Sequence, residues 1–268
     1  MNKALFIFPL ALTLASCSVL EDRGACPCWV RADVSCIDPI KTNKPFDGIT
    51  LLFENDNGFS CSDEITCEDL DSSSVKTYTV PRALTDIVAL SGNGDASVDG
   101  CLFLPMKECD VYPAFYSWHR RSDLLGEEAT VKPLPHKQHC VIHIALTDMF
   151  RPENGDLYIR ISGEVEGINL YTLRPVEGVF SVGMSVGTDG RADATVPRQY
   201  PWNNLTASVW RNGEKISDTN LSLLMKDAGY DWDKEDLDDI SLAIENFYIE
   251  GKVEICPWDS VMEGDIII

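Results

Sequence analysis

Apolar and polar residues alternate one by one in many short stretches of the chain after residue 28. The alternation is found at residues 30–36, 49–53, 157–161, 180–186, 205–209 and 253–255. A period of two is typical of strands with one buried face, so each stretch predicts a β-strand. Asn212-Gly213 follows the stretch at 205–209 and predicts a type I′ turn, which joins two strands into a hairpin.

Helical patterns are scarce along the chain. Pro81–Leu90 and Leu221–Gly229 are the two stretches whose apolar spacing predicts short helices. The chain is therefore predicted to be all-β, and the turn-rich spacing of its strands favours β-sandwiches.

A polar segment at residues 119–138, closed by Pro133-Leu134-Pro135, interrupts the strand pattern near the middle of the chain. The chain of 268 residues is longer than one ordinary domain. We therefore predict an N-terminal β-sandwich domain at residues 17–133 and a C-terminal β-sandwich domain at residues 134–268.

The first 16 residues have the pattern of a signal peptide. Lys3 gives a basic start, and Ala4–Ala15 is an apolar run that is shorter than the roughly 20 residues of a membrane-spanning helix. Leu14-Ala15-Ser16-Cys17 resembles the bacterial lipobox, in which the cysteine is lipidated and becomes the mature N-terminus. We therefore expect residues 1–16 to be removed and acyl chains, palmitate among them, to be attached at Cys17.

The membrane prediction follows from the number of acyl chains. One chain binds a membrane only marginally, whereas two signals give stable anchoring. A lipobox cysteine usually carries two or three chains, so the protein is expected to stay on a membrane. Glu21-Asp22 behind the lipid site favours display on the cell surface.

The charge of the chain excludes one class of partner. The 43 acidic and 22 basic residues give a net charge of −21, and removal of Lys3 with the leader raises the imbalance further. Such a surface repels phosphate backbones, so no nucleic-acid partner is expected.

Ten cysteines are present, and nine remain besides Cys17. In an exported protein they are expected to form at least one disulfide bond, and the odd count leaves one thiol unpaired. Cys61/Cys67 and Cys101/Cys109 could each close a short loop, but the connectivity stays open. Cys26-Pro27-Cys28 favours structural disulfides over a redox pair, which normally has two intervening residues.

Three of the four histidines lie in the segment HKQHCVIH, around Cys140. The following alternation predicts a strand, in which His139 and His143 would be about 13 Å apart. Two ligands of one metal ion cannot easily span that gap, so His136, His139 and His143 are not expected to bind a metal.

The acidic segment Asp227–Asp239 also lacks the pattern of an ion site. A calcium loop starting at Asp231 would need glycine at its sixth position and glutamate at its twelfth, where the chain has Asp236 and Leu242. No nucleophile elbow, phosphate loop or dinucleotide motif is found. We expect neither a metal nor a cofactor, and we expect no enzymatic activity.

Taken in order, several segments resemble one family. They are the lipobox, the Cys-Pro that opens the first strand, VYPAFYSW at residues 111–118, the segment at 139–170 and VEICPWDSVMEGDIII at 253–268. Together they are similar to the fimbrial anchor family (fimbrillin-A-associated, FimB-like anchors) of type V fimbriae. The resemblance covers nearly the whole mature chain.

This resemblance implies two transthyretin-like β-sandwich domains in tandem and a lipid-tethered subunit at the base of a fimbrium. Its partners would be fimbrillin subunits and, through the acylated N-terminus, outer-membrane lipid. The chain ends on Ile266, Ile267 and Ile268, which are unusual residues to leave in water. We expect this tail to dock the first fimbrillin, although it could equally be the last strand of the C-terminal domain.

Two alternative functions stay open at this point. A stalk or tip adhesin of the same fimbrial system would also start as a lipoprotein but would then be cut after an arginine, for which Arg23 and Arg31 are available. A surface glycan-binding lipoprotein would show stacked aromatic side chains, for which Trp202 and Trp210 are the candidates.

Overall fold

The computed structural model describes residues 27–37, 46, 48–70, 74–92, 97–99, 101–104, 108–109, 112–146, 157–244 and 253–257. Strands form most of this part of the chain, and they are arranged in four sheets. The all-β sandwich fold predicted from the alternation is therefore confirmed. Within the described ranges, no helix has the length and apolar character needed to cross a bilayer.

The strands that lie in the first half of the chain are β1 Pro27–Asp33, β2 Gly48–Asn55, β3 Ser60–Thr66, β4 Val75–Pro81, β5 Leu84–Ser91, β6 Ser97–Asp99, β7 Leu102–Leu104, β8 Glu108–Cys109, β9 Tyr116–Asp123, β10 Glu128–Val131 and β11 His136–Lys137. Those that follow are β12 His139–Leu146, β13 Leu157–Asn169, β14 Arg174–Ser185, β15 Arg191–Pro197, β16 Thr206–Arg211, β17 Glu214–Asn220, β18 Asp239–Ile244 and β19 Glu254–Cys256. Helix α1 spans Leu221–Asp227, and short 3-10 turns span Ser35–Ile37 and Cys67–Asp69.

Two sheets pack face to face in the first half of the chain. Sheet A has the strand order β10-β1-β4, and sheet B has the order β11-β9-β5-β2-β3. Alternate residues of their strands are buried between them, because one face of each strand is apolar. This core includes Val30, Leu51, Phe53, Ile65 and Ile87.

A second pair of sheets follows. Sheet C has the order β17-β16-β13-β14-β8, with β7 also paired to β13 and β6 paired to β7. Sheet D has the order β15-β12-β18-β19. The long β13–β14 hairpin supplies Ile159, Ile161 and Phe180 to the core between them, and α1 contributes Leu221 and Met225.

A smaller apolar cluster joins the two pairs of sheets. Phe103 stacks on Phe115 with their ring centroids 4.2 Å apart, beside residues from the outer face of β5 and from the end of β13. Tyr171, in the β13–β14 turn, reaches the outer face of sheet B, where its hydroxyl donates to Glu54 and its ring stacks on His119. Strand pairing crosses residue 134, because β11 pairs with β9 and β8 pairs with β14. The division into tandem domains at this residue stays a prediction.

One predicted helix is wrong. Residues 84–91 of the Pro81–Leu90 segment form strand β5, which lies between β2 and β9. From Thr85 to Ser91 every residue is buried, because one face packs in the core of sheets A and B and the other lies under the joining cluster. A strand buried on both faces shows no alternation, and periodicity alone does not distinguish its apolar run from a short helix.

Two other local predictions are confirmed, whereas the strand predicted at residues 30–36 ends at Asp33 and is followed by the 3-10 turn Ser35–Ile37. Helix α1 lies within the predicted segment Leu221–Gly229, and the side chain of Asn220 caps it by accepting from the backbone N–H of Leu223 at 3.1 Å. Asn212 and Gly213 both have positive φ, at 50° and 83°, as a type I′ turn requires.

The expected disulfide bonds are not found among the cysteines that the structure describes. Cys28, Cys61, Cys101, Cys140 and Cys256 are free thiols. Cys61 lies in β3 and Cys67 directly follows it, so six extended residues hold them roughly 20 Å apart. A disulfide needs Cα atoms within about 7 Å, so Cys61 and Cys67, which the sequence left as a possible pair, do not form one. The Cys101/Cys109 pair fails as well, since Cys101 is a free thiol.

Candidate functional site

The predicted lipid site, Cys17, and the predicted docking residues, Ile266, Ile267 and Ile268, lie outside the described residues. The signal peptide at 1–16 also lies outside them. The nearest described elements are β1, which begins ten residues after Cys17, and β19, which ends ten residues before Ile266. The candidate functional site therefore consists of these two strands and their surroundings.

Strand β1 lies in the middle of sheet A. It pairs antiparallel with β4 along its whole length, from Pro27 to Asp33, and parallel with β10 from Trp29 to Ala32. Cys28, Val30 and Ala32 are completely buried in the core. The first described strand after the predicted lipid site is thus bound on both edges and on one face.

The start of β1 is held by further contacts. The guanidinium of Arg82 donates from Nε to the carbonyl of Pro27 at 3.3 Å. The backbone N–H of Trp29 donates to the carbonyl of Glu127 at 2.8 Å. Burial raises the pKa of the Cys28 thiol, an effect that Arg82 opposes and Glu128 reinforces. A protonated buried thiol is a poor nucleophile and a poor metal ligand, so this part of the Cys-Pro-Cys segment is structural.

Strand β19 lies at the edge of sheet D. It is three residues long and pairs with Asp239–Ser241 of β18 through one of its two edges. Its last residue, Cys256, is buried, whereas its first residue, Glu254, is exposed. Short edge strands of this kind present unpaired backbone groups to which another strand can add.

The three clustered histidines bind three different partners. Nδ1 of His136 lies 3.1 Å from Asp236 Oδ2, and Nδ1 of His143 lies 2.8 Å from Asp193 Oδ1. His139 is buried, with its Nδ1 2.9 Å from the carbonyl oxygen of Phe115. Burial, helped by the nearby charge of Lys137, lowers the pKa of His139 to about 4. The three histidines therefore have separate partners and do not converge on one point.

The acidic segment at residues 227–239 folds against buried cations. Asp239 Oδ1 accepts from Lys137 Nζ at 2.5 Å and from the N–H of Val141 at 2.6 Å. Asp236 Oδ1 accepts from the N–H of Lys137 at 2.7 Å. In a calcium loop, carboxylates of this segment would face the ion. Here Asp236 and Asp239 instead accept hydrogen bonds from the protein's own groups. In the described part of the chain, no group of His, Cys, Asp and Glu side chains is arranged to hold a metal.

Arg198 holds the same acidic segment in place through hydrogen bonds. The sequence did not predict this role. Its buried guanidinium donates to Gln138 Oε1 at 2.8 Å and to the backbone carbonyls of Trp232 and Lys234 at 2.6 and 2.8 Å. It also bonds the carbonyls of Glu235 and Lys137 at 3.0 and 3.4 Å. Nothing in the local pattern distinguishes this arginine from those on the surface.

The two tryptophans considered for glycan binding lie in different surroundings. Trp202, in the loop between β15 and β16, is 74% exposed and stacks on Tyr200 with ring centroids 4.7 Å apart. Trp210 lies in β16 and is partly buried, with its Nε1–H donating to Ser208 Oγ at 2.9 Å. Trp202 and Trp210 are therefore not stacked on each other.

No protein-family model matches the chain, and no curated protein matches it by sequence. Among solved structures, it is similar to a candidate polysaccharide-binding protein of Bacteroides thetaiotaomicron, with a TM-score of 0.56 and 11% identity over 89% of this chain and 99% of that one. A candidate adhesin of the same species gives a TM-score of 0.54 at 17% identity, over 85% of this chain and 95% of that one.

The fimbrial anchor protein Mfa2 of Porphyromonas gingivalis gives a TM-score of 0.52 at 14% identity, over 81% of this chain and 91% of that one. Identities this low show the fold alone. The similarity to fimbrial anchor proteins that the sequence predicts is therefore confirmed at the level of the fold.

Proposed function

We propose that the chain is a lipid-anchored subunit that holds type V fimbriae to the outer membrane and supports their assembly. The observation that carries the proposal is the central position of β1 in sheet A. The segment between Cys17 and Pro27 spans at most about 35 Å when extended. A lipid at Cys17 would be tied to the folded protein through a strand that is paired on both edges.

The surroundings of β1 argue against an adhesin that is trimmed within this strand. Cleavage after Arg31 would cut β1 near its middle and release Cys28 and Val30 from the core. Burying one aliphatic side chain stabilises a protein by roughly 1.5–3 kcal/mol, and a domain is stable by only about 5–15 kcal/mol in total. Cleavage after Arg23 would spare β1 but would remove the lipid site, so an anchor must avoid both cuts.

The proposed partner contact lies at the other end of the chain. A strand of the first fimbrillin would add to the open edge of β19 or to the tail that carries Ile266, Ile267 and Ile268. Such an addition gains main-chain hydrogen bonds and side-chain burial together. Support for a fimbrial partner comes from the fold similarity to Mfa2, which is a fimbrial anchor protein. This function requires no catalytic site, and we propose none.

The lipid anchor is tested by replacing its cysteine. In cells that carry the Cys17→Ala variant, the protein and the fimbriae built on it are expected in the medium. The lipid at Cys17 is the one membrane anchor in the proposal, and the variant removes it. Cys61→Ala, at a partly exposed free thiol, serves as the matched control and should leave both in the outer membrane. If the Cys17→Ala protein still fractionates with the outer membrane, the anchoring proposal is wrong.

A further inference from the structure

The outer face of sheet C carries a group of side chains that the anchoring function does not use. Tyr158 of β13 and Trp210 of β16 are direct cross-strand neighbours, and Arg160 lies two residues further along β13. Arg160 is exposed and both rings are partly exposed, so this face is open to solvent. These three residues are called the aromatic platform below.

The rings of the platform lie along the sheet. A Cβ atom at Gly183 of β14 would be only 1.6 Å from the Tyr158 hydroxyl and 2.3 Å from Cζ, so the ring lies across the backbone at this glycine. The indole of Trp210 is held over its own strand by the hydrogen bond from Nε1 to Ser208 Oγ at 2.9 Å. The hydroxyl of Ser208 in turn donates to the carbonyl of Arg160 at 3.3 Å. The Tyr158 ring thus lies close to the backbone of β14, and the Trp210 indole is held close to its own strand.

The guanidinium of Arg160 lies between the two rings. Its Cζ is 6.0 Å from the centroid of Tyr158 and 5.8 Å from that of Trp210, which are distances of cation–π contact. The next row of the same face consists of small hydroxyl side chains, since Ser162 pairs with Ser181 on one side and with Thr206 on the other. Flat π surfaces therefore adjoin hydrogen-bonding groups on a rigid sheet.

We propose that the aromatic platform binds a neutral polysaccharide. The C–H face of a pyranose ring is flat and apolar and matches an aromatic face, while its hydroxyls can bond to Arg160 and to the neighbouring hydroxyl side chains. The net charge of −21 repels acidic glycans, so an uncharged sugar chain is the favoured ligand. A peptide strand is disfavoured because β13 is paired on both edges here and offers no free backbone groups.

The proposal is tested by affinity electrophoresis of the purified full-length chain, kept in mild detergent, through gels that contain galactomannan, hydroxyethyl cellulose or yeast mannan. At least one of these neutral polysaccharides should retard the protein. Trp210→Ala and Arg160→Ala should each weaken the binding by about tenfold, which corresponds to about 1.4 kcal/mol. The readout does not depend on Cys17, so it can fail or succeed independently of the anchoring function.

Gly183→Ala gives the sharpest variant, because the added methyl displaces the Tyr158 ring while changing no polar group. It should also weaken the binding by about tenfold, with circular dichroism unchanged. Trp202→Ala is the matched control, since it removes a more exposed tryptophan from another part of the surface. The proposal is overturned if no neutral polysaccharide retards the protein, if only chondroitin sulfate does, or if Trp202→Ala abolishes the retardation while Trp210→Ala leaves it intact.

Discussion

Strands β1 and β19 are the first and last strands of the described chain, and their surroundings differ sharply. β1 is seven residues long, is central in its sheet and buries every second side chain completely. β19 is three residues long, lies at a sheet edge and has a partly exposed residue at its centre. Among the described strands, the first is thus paired on both edges and the last is paired on one edge.

The proposed anchoring function would give the two ends different roles. A strand that transmits tension from a membrane should be hard to withdraw, and pairing on both edges together with core burial provides that resistance. A strand that receives a partner should keep free backbone groups, and an edge strand does.

The largest expected difference in the free energy of unfolding comes from placing an aspartate in β1 and, separately, in β19. Val30→Asp puts a carboxylate in the core with no partner, and we expect a loss of more than about 4 kcal/mol in the free energy of unfolding. Ile255→Asp changes a partly buried side chain of the edge strand and should cost about 1 kcal/mol. Urea unfolding measures both. Equal losses would remove the contrast between the two strands.

A second comparison concerns the support of β19. Asp239 begins β18, the strand on which β19 is paired, and it neutralises Lys137, whose side chain is only 4% exposed. Asp239→Ala leaves that ammonium buried without its partner, and we expect a cost of about 3 kcal/mol in urea unfolding. Asp218→Ala breaks the exposed Lys215–Asp218 pair and should cost less than about 1 kcal/mol. A small effect of Asp239→Ala would show that the ion pair does not hold β18.

The pH dependence of stability tests the junction between the two halves, where His139 lies against Phe115. The pKa of His139 is about 4 in the folded protein, below the ordinary value of 6.5, so folding favours the neutral ring. The contribution of the neutral His139 ring to the free energy of unfolding is complete above pH 6.5 and is lost as the pH falls toward 4. The loss should reach about 3 kcal/mol, with a slope of about 1.4 kcal/mol per pH unit.

The many carboxylates also titrate in acid and change the stability. The contribution of His139 is therefore the difference between the pH curves of the wild-type protein and of a variant without this histidine. Urea unfolding between pH 6.5 and 4 should show that the free energy of unfolding of His139→Asn falls less steeply with pH than that of the wild-type protein. His143→Asn, at a half-exposed histidine of the same strand, should retain the wild-type slope. Parallel pH curves for wild-type and His139→Asn protein would contradict the buried neutral state.

Sequence patterns predicted several of the strands whose two faces differ, including β1, β2, β13 and β14. They failed at β5, where both faces are buried and the alternation disappears. The Asn212-Gly213 turn was predictable because its backbone conformation depends on two adjacent residues.

The contacts of the candidate site were mostly beyond reach of sequence reasoning. Lys137 and Asp239 are 102 residues apart, and their pairing depends on the parallel alignment of β12 with β18. Arg198 similarly gathers carbonyls from two distant segments. The central position of β1 was also hidden, since its parallel partner β10 lies about a hundred residues further along the chain. Local patterns identify strands but do not specify which strands become neighbours.

The central claim, that the chain keeps both its lipid site and β1, is tested most directly by mass spectrometry of the mature N-terminus isolated from cells. The account predicts a first residue Cys17 carrying the mass of its acyl chains, followed by an uninterrupted sequence through Asp33. A mature chain that begins at Gly24 or at Ala32, as cleavage after Arg23 or Arg31 would produce, would contradict it.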